Sequence, residues 1–274
     1  MNKILLLTPF KVGSSSLIQI LRANGYKVIW LHEKNKFIRA FHQQHQKVVV
    51  RGHTNVKVEL LKSLHFDLII TMIRCPTDMY MSGFFQNITT KEFPFYYGNE
   101  QKVLSAKVSD LKEHFLSFNW ETFDEYSLNY NFKQIEAITN VNIWNEPFAK
   151  EKGFSYYKVN NNSKLLVLSL NALKNIHHII YKQYKISLRH TNIVYNISQA
   201  KWYANVYKEF KKETTSEVEK QYNIEKVIDH FDILHKPSLI TNGQSSNYDF
   251  NSALSIKKKG AYGKFLMNFN FNEF

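Results

Sequence analysis

Five short, largely apolar runs mark the chain: residues 3 to 8, Tyr26 to Leu31, Lys47 to Val50, Asp67 to Ile73 and Leu165 to Leu170. They are too short for helices and lack the strict alternation of a half-exposed strand. The pattern therefore predicts strands buried on both faces, as in a parallel sheet. After the first run come Pro9, the turn-forming Lys11-Val12-Gly13-Ser14-Ser15-Ser16, and then Leu17, Ile18, Ile20 and Leu21 at helical spacing. Amphipathic stretches at 33 to 44, 56 to 64 and 76 to 88 alternate with the later runs. Strands alternating with helices predict an α/β fold with a central, mostly parallel sheet flanked by helices, and ligands at the carboxyl ends of the strands.

From about 90 to 160 the pattern turns aromatic, polar and Asn-rich, which predicts an irregular, largely helical insertion over the sheet edge. Ala200 to Lys212 and Glu217 to Phe231 read as two further helices. The tail from Pro237 to Phe274 is loop-like, although Phe265 to Phe274 is aromatic enough to dock. No internal repeat interrupts this plan, and one domain over 1–274 is the expectation.

Composition narrows the function classes. With 44% hydrophobic residues, 9 Gly and 5 Pro, a chain of 274 residues is neither collagen-like nor disordered. The single cysteine, Cys75, excludes an internal disulfide and a multi-cysteine zinc site and fits a reducing cytoplasm. Its apolar runs fall far short of the ~18 residues of a membrane span, and Lys3 with four apolar residues is too short for a secretory signal core. A formal charge of +13 favours an anionic partner: phosphate esters, nucleic acid, acidic glycan or an anionic membrane surface approached peripherally. Of the 36 basic residues only five are Arg (Arg22, Arg39, Arg51, Arg74 and Arg189), and the lysine excess has the look of a coding bias.

Two stretches carry candidate chemistry. Pro9-Phe10-Lys11-Val12-Gly13-Ser14-Ser15-Ser16 lies where a strand turns into a helix, so free N–H groups and the helix dipole could hold an anion; an ordinary helix cap is the alternative. Lys11 precedes Gly13, which does not fit the ATPase pattern of a lysine after the second glycine. The second stretch, Arg74-Cys75-Pro76, ends a buried run, with Ser82 on the following helix. Arginine and hydroxyl could converge there on one anion, or Arg74 could simply pair with Asp78.

In order and spacing these stretches resemble the sulfotransferases that use 3′-phosphoadenosine 5′-phosphosulfate (PAPS). The first is similar to their 5′-phosphosulfate loop, P-x-K-x-G-[ST]-[ST]-[ST], and the second to their 3′-phosphate element, R-x-P-x(5)-S. A narrower resemblance, over most of 3 to 235, is to a sulfotransferase-like family of bacterial capsular polysaccharide synthesis proteins. It is carried by Lys11 to Ser16, Ile73 to Pro76, Ser82 to Ile88, Pro147-Phe148, Lys152-Gly153, and Lys201-Trp202-Tyr203 with Tyr207 and Phe210. Cys75 departs from the usual aspartate, and Ser169-Leu170-Asn171 from an arginine and a glutamate.

The resemblance implies a P-loop-NTPase-like sulfotransferase fold and transfer of a sulfuryl group from PAPS to a hydroxyl, most simply on a saccharide, with no metal and no nucleic-acid partner. Lys11, Val12, Gly13, Ser14, Ser15 and Ser16 would hold the 5′-phosphosulfate, Lys11 also neutralising the leaving phosphate, while Arg74 and Ser82 would hold the 3′-phosphate. His53, beside Gly52 after a strand, resembles the Gly-His of heparan sulfate 2-O-sulfotransferases and is the expected base; Glu33 and Glu59 are the carboxylate alternatives. The tail residues Lys258, Lys259 and Gly260 look like a phosphate lid, or are a solvated lysine run. On the stretch from Lys201, Trp202 with Val206 and Phe210, or Tyr203 with Tyr207 and Phe210, would form an apolar stripe, packed in the core or set against adenine or a glycan. The rival classes are a non-catalytic basic module for an anionic polysaccharide or nucleic acid, and a nucleotide-dependent kinase.

Overall fold

A computed structural model describes residues 2–31, 46–52, 58–118, 120, 127–160, 162–188, 201–222 and 224–233. All of these fall within one compact unit, Met1–His235. The stretch at 33 to 44, Glu33, His53 and the tail with Lys258, Lys259 and Gly260 lie outside the described residues.

The chain opens with β1 (Lys3–Leu7), α1 (Ser14–Ala23), β2 (Lys27–Trp30), β3 (Val48–Gly52), α2 (Val58–Lys62), β4 (Leu68–Ile73) and α3 (Pro76–Asn87). Next come a 3-10 turn at Pro94–Tyr96, then α4 (Glu100–Leu104), α5 (Val108–Leu116) and α6 (Leu128–Thr139). It ends in β5 (Phe154–Lys158), β6 (Lys164–Ser169), a 3-10 segment at Leu170–Asn175, α7 (Ile176–Tyr184), α8 (Ala204–Gln221) and α9 (Glu225–Phe231). Among the described residues no helix is long and apolar enough to cross a membrane.

The strands form one sheet in the order β2-β3-β1-β4-β6-β5. The first five run parallel, and β5 is antiparallel to β6. β3 and β4 are buried throughout and β1 from Ile4 onward, as continuous apolar runs require when helices cover both faces. β1 lies between β3 and β4, so the loops after it are flanked by the exits of both neighbours.

Two differences from the pattern-based reading are instructive. Residues 154 to 158, inside the span expected to be largely helical, form the edge strand β5. Phe154, Tyr156 and Tyr157 are strand formers, and the Asn160 side chain closes the hairpin by accepting from the N–H groups of Asn162 and Ser163. The helix expected to stop at Lys212 runs on to Gln221, through Thr214 and Thr215, and the break falls at Tyr222. Threonines are poor helix formers, but Thr214 is fully buried and the Thr215 hydroxyl donates to the Lys211 carbonyl one turn back, keeping the segment helical.

An aromatic cluster ties these helices over the strand exits. Phe84 of α3 packs edge-on against Phe115 of α5 and stacks on Phe210 of α8, while Phe85 meets Tyr203, Tyr207 and Phe210. Such contacts fix the angular position of α8 relative to α3, and with it the side chains that α8 sends toward the end of β4.

Candidate anion site at the strand ends

The loop after β1 is built from unusual backbone. Lys11 has φ 63° and Gly13 φ 89°, both left-handed. For lysine that conformation is unfavourable, and such residues persist where the surroundings hold them. Gly13 heads α1, with the N–H groups of Ser16 and Leu17 donating to its carbonyl, and no side chain caps the helix. The torsion at Gly13 demands glycine, and a Cβ there would fall 2.4 Å from Leu170 Cδ1, so that the tip of this side chain would have to shift.

Arg74 immediately follows β4 and spans back to this loop. Its Nη1 donates to the Lys11 carbonyl at 2.9 Å, and its Nε lies 3.8 Å from Asp78 Oδ2. The other oxygen of Asp78 takes Lys211 of α8 at 2.7 Å. Burial pushes the Tyr207 phenol up to about 12, while a hydrogen bond from Arg74 acts in the opposite direction. Of the two sequence alternatives for Arg74, the pairing with Asp78 is present, and the residue also grips the candidate loop through the Lys11 carbonyl, a contact that neither alternative named.

On the other flank stands Arg51, which the sequence reading noted as one of five arginines and gave no role. In β3 it lies in register with Leu6 of β1. Its Nη2 donates to Ser14 Oγ at 3.1 Å, its guanidinium sits 4.3 Å from the centre of the Trp30 ring, and the residue is only 8% exposed. Its signal in the sequence was its position, near the end of a buried run two strands away from Arg74.

The electrostatics follow from this crowding. The Lys11 ammonium is lowered from its ordinary 10.5 to about 7, first by burial and then by the like charges of Lys201 and Arg74. Lys201 is a second residue without an assigned chemical role that the fold brings to the loop. Lys11, Lys201 and Arg74 thus crowd like charge around the loop, and Arg51 reaches Ser14 at the head of α1, where the helix dipole adds to it. An anion entering this place would relieve the repulsion.

The remaining sequence candidates are distributed as follows. Val12 is fully buried and packs in the core; Ser14 and Ser16 are buried, whereas Ser15 is exposed. Ser82 is half-buried in the second turn of α3. Trp202 is 37% exposed while Tyr203 is 5%, so the stripe that faces the core is Tyr203, Tyr207 and Phe210. Cys75 is buried just before Pro76. At Ser169-Leu170-Asn171, the Ser169 hydroxyl accepts from the Ala172 N–H and Leu170 packs on Gly13. Among the described residues no three His, Cys, Asp or Glu side chains gather as metal ligands. No family model matches the chain, and no curated protein matches it.

Proposed function

We propose that this chain is a PAPS-dependent sulfotransferase with a P-loop-like fold, working in the cytoplasm on a hydroxyl of a capsular or other surface saccharide. The observation that carries this reading is the hydrogen bond from Arg74 to the Lys11 carbonyl, because it joins the two stretches that resemble the two phosphate-binding elements. The position of β1 between β3 and β4 adds support, since the chain turns to one side after β1 and reaches the other side only at β4. A crevice at such a reversal is where α/β sheets bind ligands.

The chain's groups then have separable tasks. The first N–H groups of α1 face the equatorial oxygens of the transferred sulfuryl group, where charge is spread in the transition state. The ammonium of Lys11 neutralises the phosphate oxygen that departs as the acceptor oxygen forms its bond to sulfur. Arg74 and Ser82 hold the 3′-phosphate and fix the donor in line. His53 takes the acceptor proton; the described alternative, Glu59, is exposed and paired with Lys62 at 3.5 Å, which favours the histidine.

The test is ligand-induced stabilisation of the full chain in chelator-treated buffer. Adenosine 3′,5′-bisphosphate, the desulfated donor, should raise stability by about 2.7 kcal/mol at a hundredfold excess over its Kd. Equal stabilisation by AMP or ATP, or none by the bisphosphate, overturns the proposal.

A further inference from the structure

We infer that the cleft between the edge strand β5 and α7 binds an extended acidic peptide segment of a partner protein, which adds beside β5 as a seventh strand of the sheet. The inference goes beyond the sulfotransferase reading and does not depend on it.

β5 ends the sheet, and its pairing with β6 fixes which of its backbone groups are used. The Ser169 N–H donates to the Gly153 carbonyl at 2.8 Å, the Val159 N–H donates to the Ser163 carbonyl at 3.1 Å, and Phe154 stands opposite Leu168 between these ends. Bonded positions alternate along an antiparallel pair, so Ser155 and Tyr157 bond to β6 while the N–H and C=O groups of Phe154, Tyr156 and Lys158 turn outward. Among the described residues no hydrogen bond fills these outward groups. Such a row of donors and acceptors at the strand repeat is a template for another main chain.

The edge is recessed between two walls. Side chains of a strand alternate in direction, and the Tyr156 hydroxyl donates to the Ile179 carbonyl at 3.4 Å, which puts α7 on the face of Phe154, Tyr156 and Lys158. On the other face the Tyr157 hydroxyl donates to the Pro147 carbonyl at 3.1 Å, and Ser155 Oγ accepts from the Ala149 N–H at 2.8 Å. The cleft that remains has a volume of about 640 Å³ and follows all five residues of β5. A strand of that length extends about 17 Å.

Charge selects the occupant. Lys152, Lys158 and Lys182 line the cleft, all are exposed, and among the described residues none of them has an ion-pair partner. Lysine on an edge strand is an ordinary guard against pairing with a second copy of the chain, and Lys158 alone would meet that need. Lys182 is not on the strand; it lies three residues after Ile179, on the side of α7 that meets β5, and adds charge to the cleft from the wall. Glu146 stands on the opposite wall, next to Pro147. The matching segment therefore carries acidic side chains toward α7 and uncharged ones toward Glu146, which is the alternation of a strand. A polyanionic saccharide or a nucleic acid would also meet the lysines, but neither supplies N–H and C=O groups at the strand repeat.

The experiment follows the fluorescence anisotropy of a labelled ten-residue peptide alternating glutamate and threonine, titrated with the full chain. Binding should saturate below about 1 mM. The same peptide with every backbone amide N-methylated keeps its charge and has no N–H to donate, and it should bind at least about tenfold more weakly, the scale of one hydrogen bond. Tyr156→Pro removes the central outward N–H and leaves the bonds to β6, since proline is tolerated where the N–H of an edge strand faces outward; it too should cost about tenfold or more. Lys182→Glu should weaken the peptide by a similar factor. If Tyr156→Pro fails to fold, Phe154→Pro at the first position of the strand takes its place. Absence of saturation, equal binding of the methylated peptide, or an affinity unchanged by the proline variant or by Lys182→Glu overturns the inference. So does a sulfated hexasaccharide or a single-stranded thymidine decanucleotide that binds more tightly than the peptide and is lost in Lys182→Glu, which would assign the cleft to that polyanion.

Discussion

Arg74 donates from Nη1 to the backbone carbonyl of Lys11 across 2.9 Å, so a residue at the exit of β4 holds the shape of the loop that leaves β1. Because the carbonyl belongs to a left-handed lysine, the bond also stabilises a backbone conformation that the residue would otherwise leave. Arg74→Ala should therefore cost more than a phosphate contact. The expected outcome in titration calorimetry is loss of most of the preference for 3′-phosphorylated over 3′-unphosphorylated nucleotides, together with a drop of about 1–2 kcal/mol in stability from the lost bond. A variant that loses affinity for both nucleotides equally would assign Arg74 to the loop alone.

Lys11 makes binding and stability respond to pH in opposite senses. Its folded-state value of about 7 lies below the ordinary 10.5, so between these limits the unfolded chain holds the extra proton and the stability of the free protein should rise with pH. An anion at the loop favours the charged ammonium and raises its value, so binding takes up a proton. Bisphosphate affinity should fall as pH rises above about 7, by up to tenfold per unit. Calorimetry in buffers of different ionisation enthalpy reads the proton directly; affinity flat from pH 7 to 9 would remove Lys11 from the site.

Asp78 neutralises Arg74 and Lys211 from within the same cluster. Asp78→Asn should lower the thermal midpoint of the free protein, since two cations lose their partner, and should tighten the bisphosphate, since the site loses the carboxylate that competes for Arg74. The paired measurement is a melting curve with and without ligand. Both changes in the same direction would mean that Asp78 serves structure only.

Gly13→Ala places a methyl group 2.4 Å from Leu170 Cδ1 at a φ of 89°. Strain in the torsion and overpacking each cost about 1–3 kcal/mol, so the variant should melt several degrees lower. Leu170→Ala in the same background should recover part of the loss by opening space, which chemical denaturation of the double variant would reveal.

For His53 the expected outcome is kinetic. General-base catalysis is typically worth ~10²–10⁴-fold, so His53→Ala should lower sulfuryl transfer by about that factor and leave bisphosphate affinity nearly unchanged. Affinity lost together with turnover would make the residue part of the donor site instead.

The sheet was largely legible because buried parallel strands write themselves as unbroken apolar runs: Ile4 to Leu7, Val48 to Val50 and Leu68 to Ile73 need no tertiary information to be found. β5 was not, because an edge strand with Ser155 and exposed Lys158 has neither a continuous run nor a clean alternation. Lys11, Gly13 and Arg74 were legible as motif positions. Arg51 was not, and Lys201 and Tyr207, although they stand in the stretch that carries the resemblance, gave no sign of their proximity to the loop, which depends on β3 lying beside β1 and on α8 crossing α3, both of which are facts of packing. The choice between Trp202 and Tyr203 as the inward aromatic likewise depended on the start of α8, where a shift of one residue turns the stripe by about 100°.

The left-handed backbone at Lys11 sets evolution and protein engineering at odds with each other at one position. Replacement by glycine would suit the torsion and abolish a buried ammonium, so selection for thermal robustness alone should drift toward it by roughly 1–2 kcal/mol. The same replacement would leave a pocket with fewer charges to offer an anion. A library screened for stability without a ligand present should therefore enrich the inactive protein, and lysine should persist only in lineages that are made to bind.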